Sequence, residues 1–427
     1  MEPEWHIPRN KQKIIMVLCC LAYSFAYAGR YSYNANIAPI MDLYGVSRAE
    51  AGLVGTFFFF AYGVGQLFNA IFCKYYNKKY VITGVLLVSV GINLAAFFCP
   101  PFWVYKYLWL LNGLCQSVLW PVLIQTVGET TDEALMNRAV ILMNSASLIG
   151  TFLAYGGGAL FNIGSLFRMS FLFGAALMLA IGLIWLFSYD SLIGKEPALI
   201  KPQNESKIGE QTERPKAAKV ITGALIGLLS ACAVFAVIDN FVKDGFNTWL
   251  PVILKEQFGF GDSFSIVLTL VIPVFGMFGG LLALRTHRWI KDFRSLMGFF
   301  YLLVCVCIGG LMFSMRQNIV AVFLICQGLI ACLAHGVNAV LTLIMPLALR
   351  EKMNSGSLAG LMNAFCYVGS TASAYGLGKI ADNTGWNTVI YVLLISAASM
   401  AALAGVVTVV GFVRKKSSGT FEKGEAS

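Results

Sequence analysis

Residues 142–156, L-M-N-S-A-S-L-I-G-T-F-L-A-Y-G, return in similar form at residues 361–376 as L-M-N-A-F-C-Y-V-G-S-T-A-S-A-Y-G. The second L-M-N triplet follows the first by 219 positions, and the glycine of the later Gly-Ser pair follows that of the Gly-Thr pair by the same 219. Both stretches lie within apolar runs long enough for a membrane-spanning helix. The pattern predicts an internal repeat with one copy in each half of the chain.

A second match supports this repeat. Arg30 corresponds to Lys243 and Pro39 to Pro251, at offsets of 213 and 212 positions. Together the two matches relate each helix to the helix six further along. Parallel repeats related by an axis along the membrane normal are typical of carriers that hold substrate near the midplane, between the halves. We therefore predict an all-α integral membrane fold of twelve transmembrane helices in two pseudo-symmetric six-helix halves.

The composition also indicates a chain that lies mostly in lipid. Of its 427 residues 58% are hydrophobic and only 12% are charged, and the mean hydropathy is +0.73. Apolar runs of about 20 residues, the length that crosses a bilayer, recur throughout. The predicted spans are residues 14–41, 50–73, 80–99, 103–128, 139–161, 167–188, 220–254, 262–284, 296–314, 318–349, 356–381 and 386–413.

A polar stretch separates the sixth predicted span from the seventh. Residues 189–219 contain six lysines or arginines together with proline and glutamate, and they show no apolar periodicity. We expect residues 1–188 to form the N-terminal half and residues 189–219 to form a cytoplasmic linker. Residues 220–427 are expected to form the C-terminal half with a short cytoplasmic tail.

Basic residues are concentrated in alternate loops. They lie near residues 74–79, 138, 195–219, 285–294, 350–352 and 414–416, whereas the remaining loops hold few. Because cytoplasmic loops carry the excess of lysine and arginine, this pattern places both termini in the cytoplasm of a multi-pass cell-membrane protein. The net charge of +10 thus reflects topology, and we expect lipid and no nucleic acid as a partner.

An arginine lies deep in the first predicted span. Arg30 follows Ile14 by 16 residues, which is about 24 Å along a helix and therefore near or somewhat beyond the bilayer midplane. No acid lies in this span, while Tyr31 and Asn34 supply polar groups for a cavity. A buried guanidinium without an acid favours an anionic ligand. The alternative is a purely structural contact with a carbonyl or a distant acid such as Glu129.

The repeat makes Lys243 the second candidate cation. Asp239 precedes it by four residues and Asp244 follows it directly. We expect an i,i+4 ion pair between Lys243 and Asp239. Exchange of Asp239 for a substrate anion would couple binding to movement, and the alternative is a permanent structural pair.

Five further side chains lie at depths that suit a central cavity. His335 could donate to an anion or carry a proton, and packing in the core is the alternative. The other four candidates are Gln66, Gln116, Trp120 and Ser147, and a packing role is favoured for Trp120.

The sequence contains no recognisable enzyme, metal or nucleotide motif. No G-x-x-x-x-G-K-[ST] loop occurs, so direct nucleotide-driven pumping is not expected. The eleven cysteines lie almost wholly in apolar runs and show no C-x-x-C spacing. We predict that the protein is not an enzyme and has no catalytic residue, metal or cofactor.

Five motifs spread over both halves carry a resemblance to a known family. They are residues 29–34, 61–65, 113–116 with 120–121, 249–251 with 254–256, and 367–370 with 385–386. They resemble the organophosphate:phosphate antiporters of the major facilitator superfamily, which include the bacterial glycerol-3-phosphate and hexose-phosphate transporters. The resemblance implies the major facilitator fold.

The resemblance also implies roles for individual residues. In that family an arginine in span one and another in span seven bind the substrate phosphate, assisted by a lysine in span two and a histidine in span five. Arg30 matches the first position and Lys243 the second, but Gln66 and Ser147 stand where the lysine and histidine would be. A site with fewer cations implies a substrate less negative than a dianionic phosphate ester, or a carboxylate.

The sequence therefore predicts a monomeric secondary transporter of a small organic anion, either a phosphorylated metabolite or a carboxylate. Alternating access would be driven by antiport or ion coupling. Two alternatives stay open. One is a transport-like sensor of an external anionic metabolite, and the other is a carrier of an unrelated nutrient that shares only the architecture.

Overall fold

A computed structural model describes residues 7–72, 75–164, 166–194, 223–349 and 355–417, which are almost entirely helical. The helices are α1 (Arg9–Ala35), α2 (Ile37–Tyr44), α3 (Arg48–Phe72), α4 (Lys78–Phe97), α5 (Phe102–Gln116), α6 (Leu119–Thr130), α7 (Glu133–Asn162), α8 (Met169–Leu192), α9 (Gly223–Phe258), α10 (Asp262–Thr269), α11 (Val271–Gly276), α12 (Gly279–His287), α13 (Phe293–Gln317), α14 (Val320–Ala339), α15 (Met345–Ala348), α16 (Ser355–Thr384) and α17 (Trp386–Ser417). A π-helical turn, Val340–Ile344, joins α14 to α15.

Ten segments of the described chain are long and apolar enough to cross a membrane, and each overlaps one predicted span. The two other predicted spans, the seventh and the eleventh, correspond to α9 and α16, which are 36 and 30 residues long. Both exceed the ~20 residues that a crossing requires. They are also the more polar helices, since α9 contains Asp239, Lys243 and Asp244 and α16 is rich in serine and glycine.

Helix breaks in three of the predicted spans have a common cause. The breaks between α1 and α2, α5 and α6, and α10 and α11 each come just before a proline, which is the third residue of the second helix: Pro39, Pro121 and Pro273 respectively. A proline cannot donate to the preceding turn, and its ring collides with the carbonyl four residues earlier. By contrast, α9 continues through Pro251.

The helix ends define two faces of the molecule. We call the face where α1 begins and α17 ends the terminal face, and the other the opposite face. The turns from α2 to α3, α9 to α10 and α16 to α17 lie at the opposite face. Most of the predicted linker, residues 195–219, and the end of the predicted tail, residues 418–427, lie outside the described residues.

The N-terminal half, α1 to α8, meets the C-terminal half, α9 to α17, along α3 and α16. A Cβ atom on Gly52 would collide with the Ala374 carbonyl oxygen, and one on Gly378 would come within 2.6 Å of the Arg48 carbonyl oxygen. Residues without side chains therefore let these two backbones touch, as small residues do between membrane helices.

A group of four side chains, the Arg48 cluster, joins the halves at the opposite face. Arg48 pairs with Glu256 at 2.6 Å and with Asp382 at 3.1 Å. Trp386 Nε1 donates to the same Glu256 carboxylate at 2.7 Å. The Asp382 carboxylate also accepts from the backbone N–H groups of Arg48 and Ala49, so it caps the start of α3.

Polar contact between the halves is unequal at the two faces. Lys255 adds a further link at the opposite face through its ion pair with Asp42. Towards the terminal face, the last hydrogen bond between the halves within the described residues is that from Asn363 to Gln66. The halves are thus locked together on the opposite side and less tightly connected on the terminal side.

Candidate functional site

Arg30 lies in a box of aromatic rings between α1 and α3. Its guanidinium carbon is 4.4 Å from the ring centre of Tyr27, 4.5 Å from Phe58 and 4.7 Å from Tyr62. The Tyr31 ring is 5.6 Å away. Arg30 is 5% exposed, and its Nε atom is buried without a hydrogen-bond partner. We call these four rings the Arg30 box.

The aromatic rings account for the presence of a charge at this depth. A desolvated cation–π contact is worth about 2 kcal/mol, so the box offsets an insertion cost of about 2.5–3.5 kcal/mol. The rings stabilise the guanidinium without cancelling its charge. Among the described residues no carboxylate pairs with Arg30, and the alternative partner Glu129 instead binds Lys78 and Gln125.

Lys243 of α9 has a different environment. Its Nζ atom lies 3.9 Å from Asp244 Oδ1. The predicted ion pair with Asp239 was wrong: the fully buried Asp239 accepts a hydrogen bond from the Tyr301 hydroxyl at 2.9 Å. The Asp239 carboxylate points towards Tyr301 of α13, and its interaction with Lys243 is electrostatic, without an ion-pair contact. Its other oxygen, Oδ2, is buried and makes no hydrogen bond.

Asp244 is held in place by its own half. Ser370 of α16 donates to its Oδ2 atom, and Asn247 Nδ2 donates to Oδ1 at 3.2 Å. Lys243 therefore has two carboxyl groups nearby, and the closer one is fixed by hydrogen bonds. An anion that binds Lys243 must compete with Asp244.

Two tyrosines of α1 connect the environments of the two cations. Tyr27 lies in the Arg30 box and also interacts electrostatically with Lys243. Tyr31 interacts in the same way with both Arg30 and Asp244. Tyr27 thus interacts with both predicted cations, one from each half.

The chain's sequence matches the Major Facilitator Superfamily over residues 19–374, which is most of its length. The chain belongs to the Major Facilitator Superfamily. The fold predicted from the repeat is therefore confirmed.

Curated relatives of this major facilitator protein include the membrane sensor protein UhpC of Escherichia coli (strain K12), which is 23% identical over 92% of each chain. Sugar phosphate exchanger 3 of Mus musculus is 25% identical over 81% of this chain and 77% of its own. These relatives confirm the resemblance to the organophosphate:phosphate antiporters. Among solved structures, a bacterial homologue of the human lysosomal transporter Spinster shares the fold, with a TM-score of 0.71 at 14% identity over 93% of this chain and 96% of its own.

Asn34 and Gln66 join the two halves beside the Arg30 box. Asn34 Nδ2 donates to Thr248 Oγ1 at 3.3 Å. Gln66 Oε1 accepts from Asn363 of α16. Since both predicted binding residues form contacts between the halves, a change in the distance between the halves alters their hydrogen bonding.

Two other predicted residues serve the packing of the N-terminal half. The Gln116 side chain is buried and donates to Asn112 Oδ1 at 3.0 Å and to Ser89 Oγ at 3.3 Å. The Trp120 ring packs on Tyr23, with ring centres 4.7 Å apart. The break at the end of α5 leaves both side chains among neighbouring helices of their own half, so neither lies in the Arg30 box.

Ser147 and His335 are partly buried. Ser147 lies on α7 about one turn before Gly150, a residue that packs directly against the backbone of Ser24. His335 of α14 lies against Gly276 of α11 and borders a small cavity that Lys243 also lines. The structure therefore groups His335 with Lys243.

Of the aromatic residues around the guanidinium, Tyr31 was a predicted site residue, whereas Phe58, Tyr62 and Tyr367 were not. Phe58 and Tyr62 come from α3, and Tyr367 of α16 places its ring 4.7 Å from that of Tyr62 and interacts with Arg30. The sequence did contain an indication for two of these residues, because Tyr62 and Tyr367 both lie in the motifs that carry the family resemblance.

Proposed function

We propose that this protein is a secondary active transporter of a small organic anion, with phosphorylated metabolites as the favoured class. The observation that carries the proposal is Arg30, a buried guanidinium with no acidic partner among the described residues, which shares Tyr27 with Lys243 of the other half. An anion between them would attract both halves at once. The name of the mouse relative, a sugar phosphate exchanger, supports phosphate as the anionic group.

The two cations would contribute differently to binding. Arginine offers a planar fork of N–H donors that fits two oxygens of a phosphate or carboxylate, whereas lysine offers a mobile point charge. Arg30 would therefore bind the anion on the N-terminal half without displacing a carboxylate. Lys243 would bind the anion only when its side chain moves away from Asp244. Substrate binding would therefore be linked to a rearrangement of the C-terminal half.

In the alternating-access cycle the two halves, residues 1–188 and 220–427, would move as units joined by residues 189–219. The Arg48 cluster holds the opposite face shut, so substrate would enter or leave this state from the terminal face. The positive-inside rule assigns the terminal face to the cytoplasm. The bacterial relatives favour the cell membrane as the location.

The test is counterflow in proteoliposomes. Vesicles are loaded with inorganic phosphate, and uptake of labelled hexose 6-phosphate, glycerol 3-phosphate or a dicarboxylate is followed with and without a pH gradient. We expect uptake of a phosphorylated solute that depends on internal phosphate. Vesicles without internal anion are the control for exchange. Neither binding nor uptake of any of these anions would refute the proposal.

A sensor of an external anion is the second candidate. The observation in its favour is that the sensor UhpC aligns with 92% of this chain. Calorimetric binding of the same anions separates the two functions. Micromolar binding without counterflow would favour the sensor, whereas binding with counterflow favours the transporter.

A further inference from the structure

A small cavity lies in the C-terminal half, between α9, α11 and α14. The centre of a water molecule can reach only about 10 Å³ of it, room for one water or one hydroxyl group. Its polar lining comes from Lys243, Asn247, Gln327 and His335. Its apolar lining comes from Phe246, Ile272, Ile330, Ala331 and Ala334.

Two polar groups of this cavity have no hydrogen-bond partner among the residues that the structure describes. Gln327 is 1% exposed, and its Oε1 atom makes no hydrogen bond. His335 Nε2 is likewise buried without a partner. Buried polar atoms are hydrogen-bonded in the great majority of cases, so two orphaned groups at one cavity need an explanation.

The helix geometry directs both groups to the cavity. Gln327 and His335 are eight residues apart on α14 and therefore lie on the same side of the helix. The small Ala331 and Ala334 lie between them on that side and leave the space open. Lys243 borders the same cavity, which connects it to the proposed anion site.

We propose that this cavity is a hydroxyl-binding subsite, which selects for a hydroxyl group on the uncharged part of the substrate. This inference rests on the proposed function, since the anion at Arg30 and Lys243 is what places the hydroxyl. Gln327 Oε1 accepts a hydrogen bond from the hydroxyl group, and His335 Nε2 is the second partner, as donor or acceptor according to its tautomer. The apolar wall contacts the carbon that carries the hydroxyl.

Substrate specificity would then come from residues outside the anion-binding pair. A site whose buried groups depend on a substrate hydroxyl discriminates strongly against an analogue that lacks it, because its own polar groups are then left unpaired. Binding of a phosphate or carboxylate at Arg30 alone provides no such selection. Gln327 and His335 would thus distinguish polyhydroxylated anions from simple ones.

The experiment uses the full-length chain in detergent and measures the Kd of glucose 6-phosphate and of its four forms that each lack one ring hydroxyl. We expect at least one of these analogues to bind about tenfold or more weakly than the parent sugar phosphate. In Gln327→Leu, the parent should bind as weakly as that analogue, while the affinity for the analogue itself stays unchanged. Cys326→Ala, at the adjacent position on α14, is the matched control and should keep the full preference.

A thermal melt without ligand tests whether Gln327 has only a structural role. Leucine has a similar size and removes the orphaned acceptor, so Gln327→Leu should raise or preserve the melting temperature. A lower melting temperature would assign Gln327 to the structure and overturn the subsite. Gln327→Met serves the same purpose if the leucine variant does not fold.

The remaining outcomes separate this inference from the proposed function. Equal Kd values for all five sugar phosphates, or an equal loss for parent and analogue in Gln327→Leu, overturn the subsite and leave the anion site intact. If the wild-type chain binds none of them, nor glycerol 3-phosphate or a dicarboxylate, the proposed function fails and the subsite fails with it.

Discussion

Arg30 and Lys243 occupy corresponding positions in the two halves, yet their surroundings differ. Arg30 is enclosed by aromatic rings and has no acidic partner within the described chain. Lys243 lies 3.9 Å from Asp244, and Asp239 is a second nearby carboxyl group. The fold repeats the position of the cation while the sequence changes what stabilises it.

This difference indicates a division of labour between the halves. Aromatic rings stabilise a cation and leave its field available to an anion, whereas a carboxylate cancels that field at short distance. The N-terminal half would therefore attract substrate at all times. The C-terminal half would contribute to anion binding only after the ion pair between Lys243 and Asp244 rearranges. This pair is therefore a candidate for coupling substrate binding to the movement of the halves.

The largest expected effect comes from removing the free charge. Arg30→Gln should weaken anion binding at least about 100-fold, because it removes charge-assisted hydrogen bonds worth about 1.5–3 kcal/mol each. Calorimetry on the purified variant measures this loss, and thermal unfolding checks that the chain still folds. Arg30→Lys keeps the charge but not the fork, and we expect its affinity to lie between those of wild type and the glutamine variant. An unchanged affinity in both variants would exclude Arg30 as a ligand.

A smaller effect is expected when the compensated charge is removed. Lys243→Met leaves Asp244 facing the site without its cation, so binding should weaken about 10- to 30-fold. The double variant Lys243→Met, Asp244→Asn should recover part of this loss, because it also removes the repulsion. Lys106→Met, at a lysine that contacts Phe57 and Tyr107 instead, is the control. Asp244→Asn alone completes the comparison. If the change in binding free energy of the double variant equals the sum of the changes in the two single variants, the pair is not coupled to binding.

The helical framework was largely predictable from the sequence. Apolar runs of membrane length are local signals, and the repeat of L-M-N with Gly-Ser or Gly-Thr related the two halves. The breaks before Pro39, Pro121 and Pro273 are equally local, since each follows from the geometry of one proline ring. The predicted spans ran through these breaks because hydropathy does not register a missing hydrogen bond.

The details of the site were less predictable, because they depend on contacts between distant residues. The i,i+4 spacing favoured a pair between Asp239 and Lys243, but Tyr301 lies 62 positions away and binds Asp239 instead. Gln116 has a suitable depth for the cavity, yet its hydrogen bonds to Asn112 and Ser89 commit it to its own half. Depth in the membrane can be counted along a helix, whereas the direction of a side chain is decided by the neighbouring helices.

The distance between Arg30 and Lys243 also depends on how the halves are held together, and the smallest effect is expected from weakening that connection. Arg48→Ala removes two ion pairs to the C-terminal half, which together are worth about 1–2 kcal/mol at a partly exposed site. The opposite face should then open roughly ten times more often. Hydrogen exchange at the start of α3 measures this opening, since the Arg48 and Ala49 amides are bonded to Asp382.

Arg316→Ala is a matched control for this prediction. Arg316 lies at the same face, but it donates to Tyr391 within its own half, so its loss leaves the contacts between the halves intact. Faster exchange at residues 48–49 in Arg48→Ala but not in Arg316→Ala would identify the Arg48 cluster as the lock of this state. Equal exchange in both variants would place the lock in the glycine contacts between α3 and α16. The distance between Arg30 and Lys243 would then depend on backbone packing between α3 and α16 and not on the charges of the Arg48 cluster.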